Sequence, residues 1–277
     1  DKRVRYLYQA NRGVAAARNT GIGAATGAFV ALLDSDDVWR PWKIELQMRC
    51  MQKFPEIGMV WTDMEAIDPA GRVFNKAYIR TMYSAYKYFP ESSLFPESYP
   101  LEEIAPSLRE VVRGAKFRKG HIFSQMIMGN LVHTSTVLLR RERLEQVKGF
   151  NEELRYSGED YDFHLRTCRA GPVGFVDLTT IQYQRGMPDR LTRNEYHIHM
   201  ATNFLNTIAP LIQTARAEIH LPQSMIEVVL ADAYLWIGEV QFDMHDVVSA
   251  RKNISSSIRH RLYQPRAWLL YLASFLP

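Results

Sequence analysis

Residues 28–37 read AFVALLDSDD, an apolar run that ends in a cluster of acidic side chains. A continuous apolar run of this length is typical of a strand buried on both faces, as in a parallel sheet. An alanine-rich helical pattern over Gly13–Ala25, which Asn11 can cap, precedes the run, and a second helical pattern over Pro41–Lys53 follows it. This alternation of strand and helix patterns predicts an α/β fold.

The same criteria predict further elements on both sides of this stretch. Strand patterns cover residues 3–8 (RVRYLY), 57–62, 131–140 (LVHTSTVLLR), 173–176 and 180–184. Helical patterns cover residues 141–147 and 159–169, and Asp68–Gly71 is a turn by composition. Residues 77–120 are rich in tyrosine and predict an irregular insertion, whereas the pattern from Glu195 onward is helical. We therefore expect one domain over residues 1–194 and a helical region over residues 195–277.

Composition excludes several classes of protein. Hydrophobic residues make up 47% and charged residues 23%, which are ordinary values for a globular chain. The formal net charge is +4, an excess that suits a phosphate-bearing ligand or an anionic membrane surface but is too small to indicate nucleic acid. The two cysteines, Cys50 and Cys168, match no metal-site spacing and are expected to be free thiols in a reducing compartment.

The acidic cluster is the first candidate site. Ligands bind outside the carboxyl ends of strands in open α/β sheets, and Asp34 and Asp36 would point the same way along an extended backbone. Two such carboxylates suit Mg²⁺ or Mn²⁺, which can bridge a diphosphate. The alternative is an acidic turn that caps the helix beginning near Pro41.

Two further motifs carry candidate functional residues. Glu159 and Asp160 stand at the start of a predicted helix, where they either cap it or supply a general base that takes a proton from a sugar hydroxyl. Arg18, within the first helix, either holds a phosphate or lies on a solvated face. His133 lies in a predicted strand, and we interpret it as an interior histidine.

The order of these motifs resembles glycosyltransferase family 2, a group of inverting enzymes with a GT-A fold. The resemblance rests on residues 11–47 and 133–166, which hold ARN-x-G, LDSDD and GED-x-D, and it extends over roughly residues 6–195. It implies a mainly parallel sheet flanked by helices, with a helical C-terminal extension. On the donor side, the resemblance implies that Asp34 contacts the ribose or nucleotide, that Asp36 is the carboxylate of the metal–diphosphate site and that Arg18 is a nucleotide-side arginine. It also implies that Asp160 is the catalytic base. Supporting positions are Ser35, Asp37 and Glu159.

The chain departs from the family pattern in two places. The first βαβ unit of the family, about 30 residues, is not found before Asp1, so we expect the 277 residues alone to be inactive and the sheet to have an exposed edge. Many relatives also carry a histidine just after the strand equivalent to Thr180–Gln184, and none stands there in this chain. Arg185 or Arg190 is the expected source of positive charge instead.

The resemblance implies transfer of a sugar from a nucleoside-diphosphate sugar to a saccharide or lipid-linked acceptor with inversion, in surface polysaccharide or glycolipid synthesis. Divalent Mn²⁺ or Mg²⁺ is the expected cofactor. The expected location is the cytoplasm, with peripheral contact at the inner face of the membrane. Two alternatives stay open, a non-catalytic module that binds a sugar nucleotide and a nucleotidyltransferase. Released nucleoside diphosphate would support the transferase, and pyrophosphate the nucleotidyltransferase.

Overall fold

A computed structural model describes residues 1–185 and 196–275. Within these ranges the chain forms two compact units. The first comprises residues 1–153 and 159–185, and the second comprises residues 154–158 and 196–275. No helix in the described ranges is both long enough and apolar enough to span a bilayer.

The first unit is built on one mixed sheet. Its strands are β1 (Phe29–Ala31), β2 (Val38–Trp39), β3 (Met59–Ile67), β4 (Val73–Asn75), β5 (Glu97–Pro100), β6 (Lys116–Gly120), β7 (Leu138–Arg140) and β8 (Val173–Gln184). The main order is β1-β7-β3-β8-β6-β5, with β2 paired to β8 and β4 paired to β3. Among the described strands, β1 and β5 end the main sheet order.

The prediction of a mainly parallel sheet is wrong. Of the pairings between described strands, β3 with β8 is parallel and the others are antiparallel. The apolar run of β1 indicates burial on both faces, but burial does not determine the direction of the neighbouring strand. That direction depends on the segment that connects the strands. A long stretch of chain that includes several other strands separates β7 from β1, rather than a single helical crossover of the βαβ type.

Helices cover this sheet. The longer ones are α1 (Val14–Ala24), α2 (Lys43–Lys53), α8 (Arg141–Val147) and α9 (Glu159–Arg169). Short helices between the strands are α3 (Ile79–Met82), α4 (Glu91–Leu94), α5 (Leu101–Ile104), α6 (Arg109–Val112) and α7 (Phe123–Met126), with 3₁₀ turns at Ser84–Tyr88, Pro106–Leu108 and Thr134–Thr136. Leu46 and Cys50 of α2 pack with Val60 of β3, Phe117 of β6 and Val176 of β8 in the main core cluster. Both cysteines are free, as expected, and the structure shows that both are buried.

Two predicted strands are corrected. Residues 3–8 form no strand, and Tyr6 and Tyr8 are largely exposed, because no described strand offers this segment a ladder of hydrogen bonds. The predicted strand over residues 131–140 is shortened to β7, since Thr134–Thr136 form a 3₁₀ turn. Conversely, residues 173–184 form one continuous strand where two were predicted.

The second unit is helical, as the sequence predicts. Its helices are α10 (His197–Thr214), α11 (Gln223–Asp243), α12 (Val247–His260) and α13 (Pro265–Ala273), with a 3₁₀ turn at Arg216–Glu218. Ala201 and Leu205 of α10 pack against Ala233 and Ile237 of α11. A second cluster joins α12 to α13 through Ile254 and Ala267.

Candidate functional site

The acidic segment forms a tight turn at the end of β1. The strand ends at Ala31, Ser35 and Asp36 form a turn, and the Asp37 N–H donates to Asp34 O at 3.1 Å. The expectation that Asp34 and Asp36 point the same way along an extended backbone is therefore wrong. Asp34 is partly buried, Asp37 is buried, and Asp36 and Ser35 are exposed.

Arg18 joins the acidic turn to the start of α9. Its Nη2 donates to Asp34 Oδ1 at 2.8 Å and its Nη1 donates to Glu159 Oε1 at 2.9 Å. The Arg18 side chain is only 13% exposed and that of Glu159 only 9%, so the second ion pair is shielded from water. The alternative of a solvated surface arginine is wrong, because the guanidinium links two motifs that are distant in sequence.

Asn19 ties the same helix to the segment that leads into α9. Its Oδ1 accepts from Phe150 N at 2.8 Å, and its Nδ2 donates to Phe150 O at 2.9 Å and to Glu152 Oε1 at 3.0 Å. The Arg18 guanidinium also lies over the Phe150 ring, 5.2 Å from its centroid. Neighbouring residues of the ARN motif thus fix the position of α9 relative to the acidic turn.

Glu159 and Asp160 have different environments although they are adjacent. Burial and the charge of Asp160 raise the pKa of Glu159 to about 7, against the lowering effect of Arg18. Asp160 is less buried, and its Oδ1 accepts from the N–H of Tyr161 at 2.7 Å. The Glu159 carboxylate accepts from Arg18, whereas Asp160 keeps a carboxylate oxygen on the partly exposed side of the helix start.

A polar segment supports the acidic turn from the opposite side. Ser135 Oγ accepts from the N–H of Asp34 at 3.0 Å, and Ser135 O accepts from Trp39 Nε1 at 2.9 Å. His133 Nε2 lies 3.4 Å from Asp37 Oδ2. These contacts hold both ends of the turn, so the position of Asp36 is defined by residues from the 3₁₀ segment before β7.

Comparison with known proteins identifies the family. A family model described as "Glycosyl transferase family 2" matches residues 1–97, which include both Arg18 and the acidic turn. An uncharacterized glycosyltransferase of Rickettsia conorii is 49% identical over 200 residues, which are 72% of this chain and 27% of that protein. Chondroitin synthase of Escherichia coli is 33% identical over 183 residues, 66% of this chain and 21% of that protein.

The chain belongs to glycosyltransferase family 2. It spans about a quarter of the length of the Rickettsia relative. Among solved structures, S. aureus TarS is similar over 95% of this chain and 39% of that chain, with a TM-score of 0.51 and 16% identity. At that identity the likeness bears on the fold, which is GT-A.

Arg185 follows β8 in this family 2 chain and contacts aromatic side chains. Its Nη1 donates to the Tyr78 hydroxyl at 2.6 Å, and its guanidinium lies 5.6 Å from the centroid of the Tyr78 ring. Tyr78 stacks on Tyr183, whose ring meets His133 edge to face at 5.1 Å. Within residues 1–185 and 196–275, no hydrogen bond or ion pair joins Arg185 to the acidic turn directly, and Arg190 lies outside the described residues.

The donor set at the turn fits a divalent cation. Asp36 is exposed and makes no hydrogen bond or ion pair with any residue in the described ranges, so its carboxylate is available. One oxygen of Asp34 is used by Arg18. In residues 1–185 and 196–275, no three His, Cys, Asp or Glu side chains are grouped as a metal site. Oxygen donors of this kind suit Mg²⁺ or Mn²⁺ completed by ligand oxygens rather than a cation held wholly by protein.

Neither Ser135 nor Lys43 received a site role from the sequence, and His133 was predicted to be an interior histidine, which its burial confirms. His133 and Ser135 lie in an HTST segment, whose run of polar residues between apolar ones signals a turn rather than a strand. Lys43 is buried, its Nζ lies 4.3 Å from the centroid of the Trp39 ring, and burial lowers its pKa to about 7. No pattern in the sequence distinguishes Lys43 from a surface lysine in the first turn of a helix.

Proposed function

We propose that this chain carries the catalytic centre of an inverting glycosyltransferase that uses a nucleoside-diphosphate sugar. The observation that supports this most strongly is the Arg18 bridge between Asp34 and Glu159. The bridge brings the acidic turn and the start of α9 into one site within the first unit. Family membership supports the class of reaction, and the bridge supports a site in which one carboxylate serves the donor and another serves the acceptor.

The acidic turn is the proposed donor side. Asp34 would contact the ribose or nucleotide, with Ser35 in support, and Asp36 would hold the divalent cation. When bound, that cation would stabilise the charge of the leaving nucleoside diphosphate. Both Nη groups of Arg18 are engaged by carboxylates, so we propose that Arg18 contributes to donor binding by holding Asp34.

Asp160 is the proposed general base. It takes the proton of the acceptor hydroxyl while the hydroxyl oxygen bonds to the anomeric carbon and the bond from that carbon to the diphosphate oxygen breaks. A single in-line displacement inverts the anomeric configuration. Glu159 is the weaker candidate because its carboxylate is 9% exposed and already accepts from Arg18.

A saccharide or lipid-linked acceptor is proposed, in surface polysaccharide or glycolipid synthesis. The similarity to a protein named chondroitin synthase supports a saccharide acceptor. Residues 77–120 are the proposed acceptor-side segment, and their tyrosines offer flat faces for sugar rings. Peripheral contact with the inner face of a membrane stays a prediction, which flotation with anionic vesicles would test.

The test is a panel of nucleotide sugars incubated with the full-length protein and Mn²⁺ or Mg²⁺. We expect one donor to give nucleoside diphosphate and a product whose anomeric configuration is inverted by NMR. Pyrophosphate would support a nucleotidyltransferase. Binding of a nucleotide sugar without turnover would support the non-catalytic module. That residues 1–277 alone are inactive remains a prediction, which the same panel would test with residues 1–277 in place of the full-length protein.

A further inference from the structure

We propose that Tyr83 recognises the acceptor sugar by accepting a hydrogen bond from the sugar hydroxyl next to the one that attacks. His133 holds the Tyr83 side chain in position. This inference rests on the proposed function and names a specificity-determining residue for it. Tyr83 lies between α3 and the 3₁₀ turn Ser84–Tyr88, inside the proposed acceptor-side segment.

A chain of hydrogen bonds links Tyr83 to the donor side. The Tyr83 hydroxyl lies 3.2 Å from His133 Nδ1, and His133 Nε2 lies 3.4 Å from Asp37 Oδ2. Because a carboxylate only accepts, the imidazole proton belongs on Nε2, and Nδ1 then accepts from the Tyr83 O–H. No donor among the described residues contacts the Tyr83 hydroxyl oxygen, so it can accept a hydrogen bond from a ligand.

The charges of the site reach the Tyr83 hydroxyl. Burial raises the pKa of Tyr83 well above its ordinary value, and the negative charges of Asp160 and Asp34 raise it further. The group therefore stays a neutral hydroxyl, positioned within the electrostatic reach of both the proposed base and the donor-side carboxylate. In this proposal, the sugar hydroxyl that donates to Tyr83 lies beside the hydroxyl whose proton Asp160 takes.

A second observation points to a polar ligand at this place. Asp37 Oδ1 is buried and has no hydrogen-bond partner among the described residues. Buried acceptors are normally satisfied by protein, water or ligand, so this oxygen leaves hydrogen-bonding capacity unused at the donor-side end of the Tyr83–His133 chain. Tyr86, in the same segment, differs from Tyr83 because its hydroxyl both donates and accepts within the protein. It donates to Leu131 O at 2.8 Å and accepts from Trp61 Nε1 at 3.4 Å.

The experiment compares Tyr83→Phe with the matched control Tyr86→Phe in the full-length protein. The donor is the one identified by the nucleotide-sugar panel, and methyl glycosides of common hexoses and uronic acids serve as acceptor probes. Loss of one neutral hydrogen bond predicts a rise in acceptor KM of about 3- to 10-fold for Tyr83→Phe. The donor KM should be unchanged, and the share of donor lost to hydrolysis should rise. Tyr86→Phe should lower the melting temperature without changing the acceptor KM.

The outcomes separate this inference from the proposed function. If the unaltered protein releases no nucleoside diphosphate from any donor, the proposed function fails. If it transfers sugar and Tyr83→Phe keeps the same acceptor KM and hydrolysis share, the inference is wrong. It is also overturned if Tyr83→Phe raises only the donor KM, or if Tyr86→Phe raises the acceptor KM equally. A His133→Gln variant should raise the acceptor KM in the same direction, because His133 acts through Tyr83.

Discussion

Replacing Arg18 by Met should destabilise the first unit strongly. The substitution keeps a side chain of similar length but leaves the Glu159 carboxylate, only 9% exposed, without its cation. At pH 8, above the pKa of Glu159, removing one partner of a buried ion pair costs about 3–5 kcal/mol, because the remaining charge is desolvated and unpaired. Asp34 is 34% exposed and regains water, so it adds little, and we expect a loss of about 3 kcal/mol in the free energy of unfolding.

The assay is urea unfolding, with hydrogen exchange to locate the effect in α9. Arg12→Met is the matched control, since Arg12 pairs with Glu152 at 2.8 Å while its side chain is 64% exposed. Exposed ion pairs of this kind contribute less than about 1 kcal/mol. The double variant Arg18→Met/Glu159→Gln removes the unpaired charge and should recover part of the lost stability.

Two results would refute this reasoning. A loss for Arg18→Met no larger than that for Arg12→Met would show that the bridge is not shielded from water. Additive effects of Arg18→Met and Glu159→Gln, with no recovery in the double variant, would show that the two side chains do not interact. Either outcome would also remove the main support for a single site.

Two further predictions follow from the site. Asp36→Ala should abolish Mn²⁺-dependent binding of nucleoside diphosphate in the full-length protein, measured by calorimetry with and without the metal, and unchanged binding would contradict its role. The pKa of Glu159 is raised from 4.5 to about 7. Between these two pH values the Glu159 carboxyl keeps its proton in the folded state and loses it in the unfolded chain. The free energy of unfolding should therefore fall as pH rises through this window, and Glu159→Gln should remove that fall. Urea unfolding of the unaltered protein and of Glu159→Gln at pH 5 and pH 8 tests this prediction. If their free energies of unfolding differ by the same amount at both pH values, the prediction is wrong.

Local signals predicted several elements correctly. The helices predicted over residues 141–147 and 159–169 agree with α8 and α9, because apolar periodicity and a following glycine or apolar strand define their ends. The turn at Asp68–Gly71 is confirmed by the bond from Gly71 N to Asp68 O at 2.8 Å. The LDSDD and GED motifs directed attention to two segments that the Arg18 bridge brings together.

Properties that depend on distant partners were not predictable in the same way. Residues 3–8 have a strand composition, but a strand also needs a neighbour, and composition does not report one. The role of Arg18 depends on Glu159, which reaches it only through tertiary packing. His133 was assigned to a strand interior, whereas the 3₁₀ turn after it directs its ring toward Asp37 and Tyr83.

The most direct test of the central claim is turnover by Asp160→Asn and Glu159→Gln in the full-length protein, measured with the identified donor. Asp160→Asn keeps the shape of the side chain and removes its basicity, so turnover should fall by a factor on the order of 10² or more while donor affinity is kept. Glu159→Gln should retain most of its turnover, since its carboxylate accepts from Arg18 rather than from the acceptor. Full turnover by Asp160→Asn, or loss of turnover confined to Glu159→Gln, would contradict the assignment of Asp160 as the base.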